Sequence, residues 1–326
     1  MPQLDKIDVH QHTATGYQTI FDIAHGEKMT WWSPENALRM MDQNQIRVAI
    51  LSPVPKLPRS KLVLDAMTKV RDGWLGRTKL LRTAMRRTLR RTNEEVSAIA
   101  RSRPERFGFF ASIFLLNAED AVAEACYALD SLKADGIFMP TNIGEVYLGD
   151  ATLEPLFAEL DRRQAVVFVH PLHLPGRIVS GSPAYVCDFL HSTVRAATNL
   201  VQKGVIRRYS NLRFILCHGG GYIPYAVQRL TRILATCYPK RSAEEYVEDF
   251  RKFYFDTALA TAPVTLSALL AFAKPENVLY GSDFPFSQPD EISFFTRQRD
   301  NIQFDPRLRL SINSANATSL FPKLGA

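Results

Sequence analysis

The sequence has no uninterrupted apolar run of the about 18 residues that a membrane-spanning helix needs, so we expect no membrane partner. The first residues show no apolar stretch behind a basic end, so we expect no signal peptide and a cytoplasmic protein. No Gly-x-Gly-x-x-Gly turn follows the first apolar run, which argues against a dinucleotide-binding fold. We therefore expect no organic cofactor.

Cysteine is also scarce, and no Cys-x-x-Cys pair occurs. The four cysteines are Cys126, Cys187, Cys217 and Cys237. Their wide spacing argues against a disulfide framework and against a structural zinc site, and it indicates reduced thiols. Cys217 directly precedes His218 in an apolar run. Because neighbouring side chains on a strand point to opposite faces, we expect the Cys217 thiol to face away from His218, toward surrounding helices.

The positive charge of the chain is confined to one segment. The 326 residues are 46% hydrophobic and 22% charged, with a formal net charge of +7. Nine basic residues and one acidic residue lie between Lys69 and Thr92, so the rest of the chain is nearly neutral. Trp74 is the one aromatic residue among these arginines, so base stacking has little support and we expect no nucleic-acid partner. A basic, anion-binding barrel protein is the non-enzymatic alternative.

Short apolar runs alternate with helical patterns along the whole chain. The runs cover residues 7–12, 48–52, 107–113, 135–140, 165–170, 213–218, 253–259 and 278–284. The helical patterns cover residues 34–41, 118–132, 154–163, 192–203, 222–234 and 265–273. Eight buried strands alternating with helices predict a (β/α)8 TIM barrel, here a single domain over residues 1–326.

A segment after the second run, residues 53–93, is much longer than an ordinary βα loop. It carries an apolar helical stripe opposite its arginines, formed by Leu80, Leu81, Ala84, Met85 and Leu89. We therefore predict a helical insertion after strand 2. Two interpretations stay open: an amphipathic helix packed on the barrel with its arginines solvated or paired with acids, or a lid or subunit contact that attracts anionic substrates.

Histidines and one aspartate stand where predicted strands end. His10 and His12 form a His-x-His pair that points to one side of the first strand. The fifth run ends at His170, the sixth at His218, and Asp283 lies at the end of the eighth. Because a barrel keeps its active site at the carboxyl ends of its strands, we expect these side chains to converge. Three imidazoles and a carboxylate suit a divalent ion such as zinc with one open position.

These motifs resemble those of the amidohydrolase superfamily, in its branch of metal-dependent decarboxylases and lactonases, over nearly the whole chain. The resemblance implies that His10, His12, His170 and Asp283 bind one divalent metal, zinc in the first place and manganese as the alternative. It also implies that His218 stays off the metal and that His218 and Asp283 are catalytic. The fourth run ends in Ile-Phe-Met-Pro without a lysine, which favours one metal over two.

Flanking phrases such as Phe255-Asp256-Thr257-Ala258-Leu259 are similar to the 6-methylsalicylate decarboxylases of this branch. The phrase His218-Gly219-Gly220-Gly221 resembles the related α-amino-β-carboxymuconate-ε-semialdehyde decarboxylases. The resemblance implies non-oxidative decarboxylation of a small aromatic o-hydroxy acid. It further implies that Arg229 binds the substrate carboxylate in a neighbouring subunit of a homodimer or higher oligomer, and that Phe286 packs on the substrate ring.

His173, which follows His-Pro-Leu, is a further candidate for substrate contact. The five strand-end residues would equally serve a metal-dependent hydrolase of a lactone or amide, in which bound water attacks the substrate. Hydrolysis is therefore the alternative enzymatic function.

Overall fold

The computed structural model describes residues 5–13, 32–53, 79–113, 117–171, 184–301 and 305–325. Eight strands form one sheet in which each strand pairs in parallel with the next. They are β1 Lys6–Thr13, β2 Ile46–Pro53, β3 Phe107–Ser112, β4 Gly136–Pro140, β5 Val166–His170, β6 Arg213–Leu216, β7 Tyr254–Asp256 and β8 Val278–Leu279.

The sheet closes on itself between β1 and the chain that continues from β8. The Val9 N–H donates to the Tyr280 carbonyl at 3.0 Å, and the His12 N–H donates to the Phe284 carbonyl at 2.7 Å. These bonds join the first and last strands, so the sheet is a closed parallel barrel. The predicted (β/α)8 fold is confirmed.

Helices follow the strands and surround the barrel. They are α1 Pro34–Gln43, α2 Lys79–Ser102, α3 Ala118–Asp130, α4 Glu154–Arg162, α5 Ala184–Gln202, α6 Val205–Arg208, α7 Ile223–Cys237, α8 Ala243–Phe250, α9 Pro263–Phe272, α10 Pro289–Asn301, α11 Pro306–Leu310 and α12 Asn316–Leu320. A short antiparallel hairpin, Asn142–Ile143 with Val146–Tyr147, follows β4. Among the described helices, none is long and apolar enough to cross a membrane.

Alternate side chains along the strands build two apolar layers, as a closed barrel requires. The inner cluster includes Val9, Ile50, Phe110, Phe138, Phe168, Ile215 and Leu279. Phe110 stacks on Phe168 with ring centroids 5.5 Å apart, and Phe321 from the end of the chain contacts Phe110 at 5.7 Å. The barrel interior is therefore filled by a packed layer of largely aromatic side chains, which lies below the carboxyl ends of the strands.

The described part of the basic segment belongs to α2, which packs on β2, β3 and α3. Arg82 donates to Asp120 Oδ1 at 3.0 Å, and Arg86 lies 3.3 Å from the same oxygen. Arg90 donates to Glu124 at 2.8 Å and lies 3.5 Å above the Tyr127 ring. This is the packed helix with arginines paired to acids, the first of the two interpretations. Residues 54–78 lie outside the described residues.

Candidate active site and metal centre

The His-x-His pair lies on β1 and is completely buried. The two side chains expose 0% of their surface, and their Nε2 atoms are 3.1 Å apart. Two unprotonated imidazole nitrogens at this distance repel each other unless a proton or a cation lies between them. The alternation along β1 thus directs both histidines to one point inside the barrel mouth.

Asp283 and His170 complete the cluster. Asp283 Oδ1 lies 3.1 Å from His10 Nε2 and 3.3 Å from His12 Nε2. The His170 ring, at the end of β5, lies with its centroid 5.0 Å from that of His10 and 4.6 Å from that of His12. One ligand atom from each of the four residues lies within 4.8 Å of the others. The predicted convergence of the four side chains is therefore present.

Unpartnered buried atoms show that the four residues fit a cation. Both ring nitrogens of His170 and Oδ1 of Asp283 are buried without a hydrogen bond to any described residue. Buried polar atoms of this kind are costly unless something binds them. Ligand bonds of about 2.0–2.2 Å place neighbouring ligand atoms about 2.8–3.6 Å apart. The separations of 3.1–3.3 Å around Asp283 Oδ1 match this spacing.

The protonation states also suit a metal. Burial lowers the pKa of His12 and of His170, so both are neutral and keep a lone pair for a metal. Burial alone would raise the pKa of Asp283, but the neighbouring His10 charge holds it well below its usual value. Burial lowers the pKa of His10, yet Asp256 and Asp283 outweigh it and raise it to about 10. The two carboxylates therefore stabilise positive charge at His10, and a cation bound at Nε2 would supply that charge.

His218 lies at the edge of this cluster. It begins a single 3-10 turn, His218–Gly220, one residue after the end of β6, and its φ of 54° is left-handed. His218 Nε2 lies 3.2 Å from Asp283 Oδ2, on the carboxylate oxygen that does not face the other histidines. Burial lowers the pKa of His218, but its interactions with Cys217 and Asp283 raise the pKa to about 10.

The Cys217 thiol does not face away from His218 as predicted, although it does contact a surrounding helix, where Thr193 Oγ1 on α5 lies 3.7 Å from Sγ. Its side chain belongs to the inner cluster with Ile215, and its Sγ lies within 4.8 Å of a ring nitrogen of His170 and of His218. Strand alternation directs residues 215 and 217 inward and would direct His218 outward. The left-handed turn at His218 breaks this alternation and brings both side chains to the barrel mouth.

Asp256, at the end of β7, is a site residue that the sequence analysis missed. Its Oδ2 lies 2.7 Å from His10 Nδ1, and its Oδ1 accepts the backbone N–H groups of His218 at 2.9 Å and Ala258 at 3.0 Å. A carboxylate on the outer nitrogen of a ligating histidine fixes the ring and its tautomer. The same strand-end rule that selected the histidines would have found this residue.

Asp8 is a second missed carboxylate, also completely buried. Its Oδ1 accepts the N–H groups of His10 and Ser282, each at 3.0 Å, and its Oδ2 accepts the Ser282 hydroxyl at 2.6 Å. Asp8 therefore joins β1 to the turn that carries Asp283. Its position two residues before His10 is the sequence signal, because alternation places both on one face.

The predicted substrate residues fall into three different environments. The half-buried Phe286 has its ring centroid 4.8 Å from that of His12, at the edge of the site. Arg229 is exposed on α7. His173 lies outside the described residues. The substrate roles of all three stay predictions.

A closed parallel barrel with histidines and an aspartate at these strand ends defines a class of metal-dependent enzymes. The Amidohydrolase family model matches residues 7–323, and the chain belongs to this family. It is 33% identical to a 6-methylsalicylic acid decarboxylase of Penicillium expansum, over 98% of this chain and 97% of the relative. It is 34% identical to a 6-methylsalicylic acid decarboxylase of Aspergillus aculeatus, over 98% and 96%.

The fold is also similar to that of solved structures. One is a dihydroxybenzoic acid decarboxylase of Polaromonas sp. JS666, crystallised with manganese and the inhibitor 2-nitroresorcinol. It superposes with a TM-score of 0.76 at 21% sequence identity, covering 97% of this chain and 96% of that one. At 21% sequence identity, this similarity shows that the two chains have the same fold.

Proposed function

We propose that the protein is a metal-dependent, non-oxidative decarboxylase of a small aromatic o-hydroxy acid, of which 6-methylsalicylate is the model. The observation that carries the proposal is the buried cluster of His10, His12, His170 and Asp283 beside His218. It occurs in a chain that is 33–34% identical, over 98% of its length, to decarboxylases of this acid.

His10, His12, His170 and Asp283 would hold one divalent ion. A divalent ion held by these residues would supply Lewis-acid stabilisation of negative charge on the substrate. We propose zinc, because imidazole and carboxylate ligands suit it, and manganese as the alternative.

Proton transfer falls to Asp283 and His218. Decarboxylation breaks the bond between the ring carbon and the carboxylate, and that carbon must receive one proton. Asp283 donates this proton to the ring carbon, the electron pair of the broken bond restores the aromatic ring, and carbon dioxide leaves. His218 is the group that would deliver the proton to Asp283, because Asp283 raises the pKa of its imidazole. It lies 3.2 Å from Asp283 Oδ2, so it can supply the proton and then recover one from solvent.

Aromatic side chains line the polar cluster. Ring centroids lie 4.9 Å apart for Phe168 and His10, 5.9 Å for Phe138 and His12, and 6.2 Å for Phe189 and His170. Low polarity around the substrate strengthens its interactions with the charged groups and favours conversion of a charged carboxylate to neutral carbon dioxide. Phe286, beside His12, would pack on the substrate ring.

We further propose a homodimer in which Arg229 of one copy binds the substrate carboxylate in the other. Its exposure on α7 leaves the guanidinium accessible to a second chain. His173 is the additional substrate contact. The four unpaired cysteines support a reducing compartment, for which we propose the cytoplasm.

The test is a panel of hydroxybenzoates and aromatic lactones offered to the metal-loaded protein, with carbon dioxide release and ring opening both measured. We expect carbon dioxide from o-hydroxybenzoates. Ring opening of lactones without carbon dioxide release would establish a hydrolase instead.

His218→Ala separates the catalytic role from metal binding. We expect it to retain its metal and to lower kcat by about 10²–10⁴-fold, the usual contribution of a proton-transfer group. The matched control is His191→Ala, which removes a histidine that hydrogen bonds to Tyr222 on the outer helices, and which should change neither quantity. Equal loss of metal and activity in His218→Ala would identify His218 as a ligand.

A further inference from the structure

The barrel mouth contains a thiol that the proposed decarboxylation does not use. Cys217 exposes 0% of its surface and lies in the inner cluster. Its Sγ and one ring nitrogen each of His170 and His218 lie within 4.8 Å of one another. A thiol and two imidazoles at this separation are a second group of potential metal ligands.

This second group shares His170 with the first and differs from it in chemistry. The first group offers imidazoles and a carboxylate, whereas the second offers two imidazoles and a sulfur. Sulfur ligands select soft cations such as zinc and cadmium, whereas manganese prefers oxygen ligands. The second group would therefore bind zinc or cadmium in preference to manganese.

The imidazoles of the second group have nitrogens free to bind. Neither ring nitrogen of His170, nor Nδ1 of His218, has a hydrogen bond to any described residue, and all three atoms are buried. Bonds of about 2.0–2.1 Å to nitrogen and about 2.3 Å to sulfur separate neighbouring ligand atoms by about 3.3–3.6 Å. Small side-chain rotations that draw the three atoms together by about an ångström would reach this spacing.

We propose that His170, Cys217 and His218 form a second site for a soft divalent cation, which competes with the catalytic metal for His170 and inhibits the enzyme. On binding, the Cys217 S–H bond breaks, a sulfur–metal bond forms, and the proton passes to solvent. The inhibition rests on the proposed function, but the binding does not.

The experiment uses protein kept in excess manganese and titrated with cadmium. The parent protein carries Cys187→Ser and Cys237→Ser, which remove the two exposed thiols. We expect cadmium to inhibit this parent and to produce the ultraviolet charge-transfer band of a cadmium–thiolate bond, at one cadmium per chain. The band reports on binding whether or not the protein is a decarboxylase.

Cys217→Ser in this parent should abolish the band and raise the inhibitory cadmium concentration by about 100-fold or more, because even loss of a ligand's hydrogen-bond partner costs about 10–100-fold. The matched control is Cys126→Ser, which removes a half-buried thiol on α3 and should change neither. Retention of the band and of the inhibition in Cys217→Ser would overturn the proposal.

A second measurement covers the case in which the serine variant does not fold. Cadmium-113 NMR of the parent protein distinguishes a sulfur-bound cadmium from one bound by nitrogen and oxygen alone. We expect a sulfur-bound resonance at saturation. A spectrum that contains only a nitrogen- and oxygen-bound resonance would refute the site without any variant of Cys217.

Discussion

Asp256→Asn tests how the metal centre is held. Asp256 accepts a hydrogen bond from His10 Nδ1 at 2.7 Å with one oxygen, and backbone N–H groups of His218 and Ala258 with the other. A proton on His10 Nδ1 leaves the Nε2 lone pair free to face the cluster. The carboxylate thus selects the tautomer of His10 that can bind a metal.

An asparagine at this position cannot satisfy both partners. If its oxygen keeps the two backbone N–H groups, its NH2 group faces His10 Nδ1 and favours the tautomer with a proton on Nε2. If the amide rotates, its NH2 group meets the two backbone donors instead. We expect metal affinity to fall by about 10–100-fold, which is the usual cost of losing such a partner. This corresponds to about 1.4–2.7 kcal/mol.

The assay is competition of the protein with a chelator of known affinity, which yields the metal dissociation constant directly. The matched control is Asp249→Asn on α8, which removes an equally buried carboxylate that contacts Arg241 at 2.6 Å and Lys252 at 3.0 Å. The control should lower stability and leave metal affinity unchanged. A wild-type dissociation constant in Asp256→Asn, or the same loss in both variants, would refute the reasoning.

Three further predictions concern the metal, its packing and the assembly. Chelation should abolish activity and lower Tm in calorimetry, because a ligand at 100 times its Kd adds about 2.7 kcal/mol to the stability; an unchanged Tm would contradict a bound ion. Gly281→Ala should weaken metal binding in the chelator assay. The Cβ of the new alanine would lie 2.9 Å from the Cβ of His10 and 3.1 Å from that of Asp256, so these two side chains would have to shift. Arg229→Ala should lower kcat/KM while sedimentation still shows a dimer, and wild-type protein that sediments only as a monomer would exclude the shared arginine.

The sequence predicted the barrel because its strands are strongly patterned. All eight apolar runs overlap the observed strands, and α1 begins at Pro34 after Ser33, whose hydroxyl accepts the Asn36 N–H at 3.1 Å. Five helices were missed: the short α6, α11 and α12, and the longer α8 and α10. The start of α8 had a readable signal, since Ser242 and Glu245 form a capping box. The pattern of α10 is weaker, because only three of its thirteen residues are buried.

The convergence of the candidate site could be predicted because it follows from strand ends alone. Direction along a strand is a local property, and parallel strands in a barrel bring their carboxyl ends together. One failure occurred where the backbone leaves the regular strand. The predicted direction of Cys217 assumed that β6 continues through His218, whereas the strand ends at Leu216.

The two proposed catalytic residues share an uncommon backbone. His218 has a φ of 54° and Asp283 a φ of 63°, a conformation that costs a residue other than glycine about 1–3 kcal/mol. Each turn is held by a buried carboxylate, Asp256 at the His218 N–H and Asp8 at the Ser282 N–H. Hydrogen bonds to charged groups contribute about 1.5–3 kcal/mol each, enough to offset this cost. Asp256 and Asp8 therefore keep His218 and Asp283 out of the strand geometry and directed into the barrel mouth.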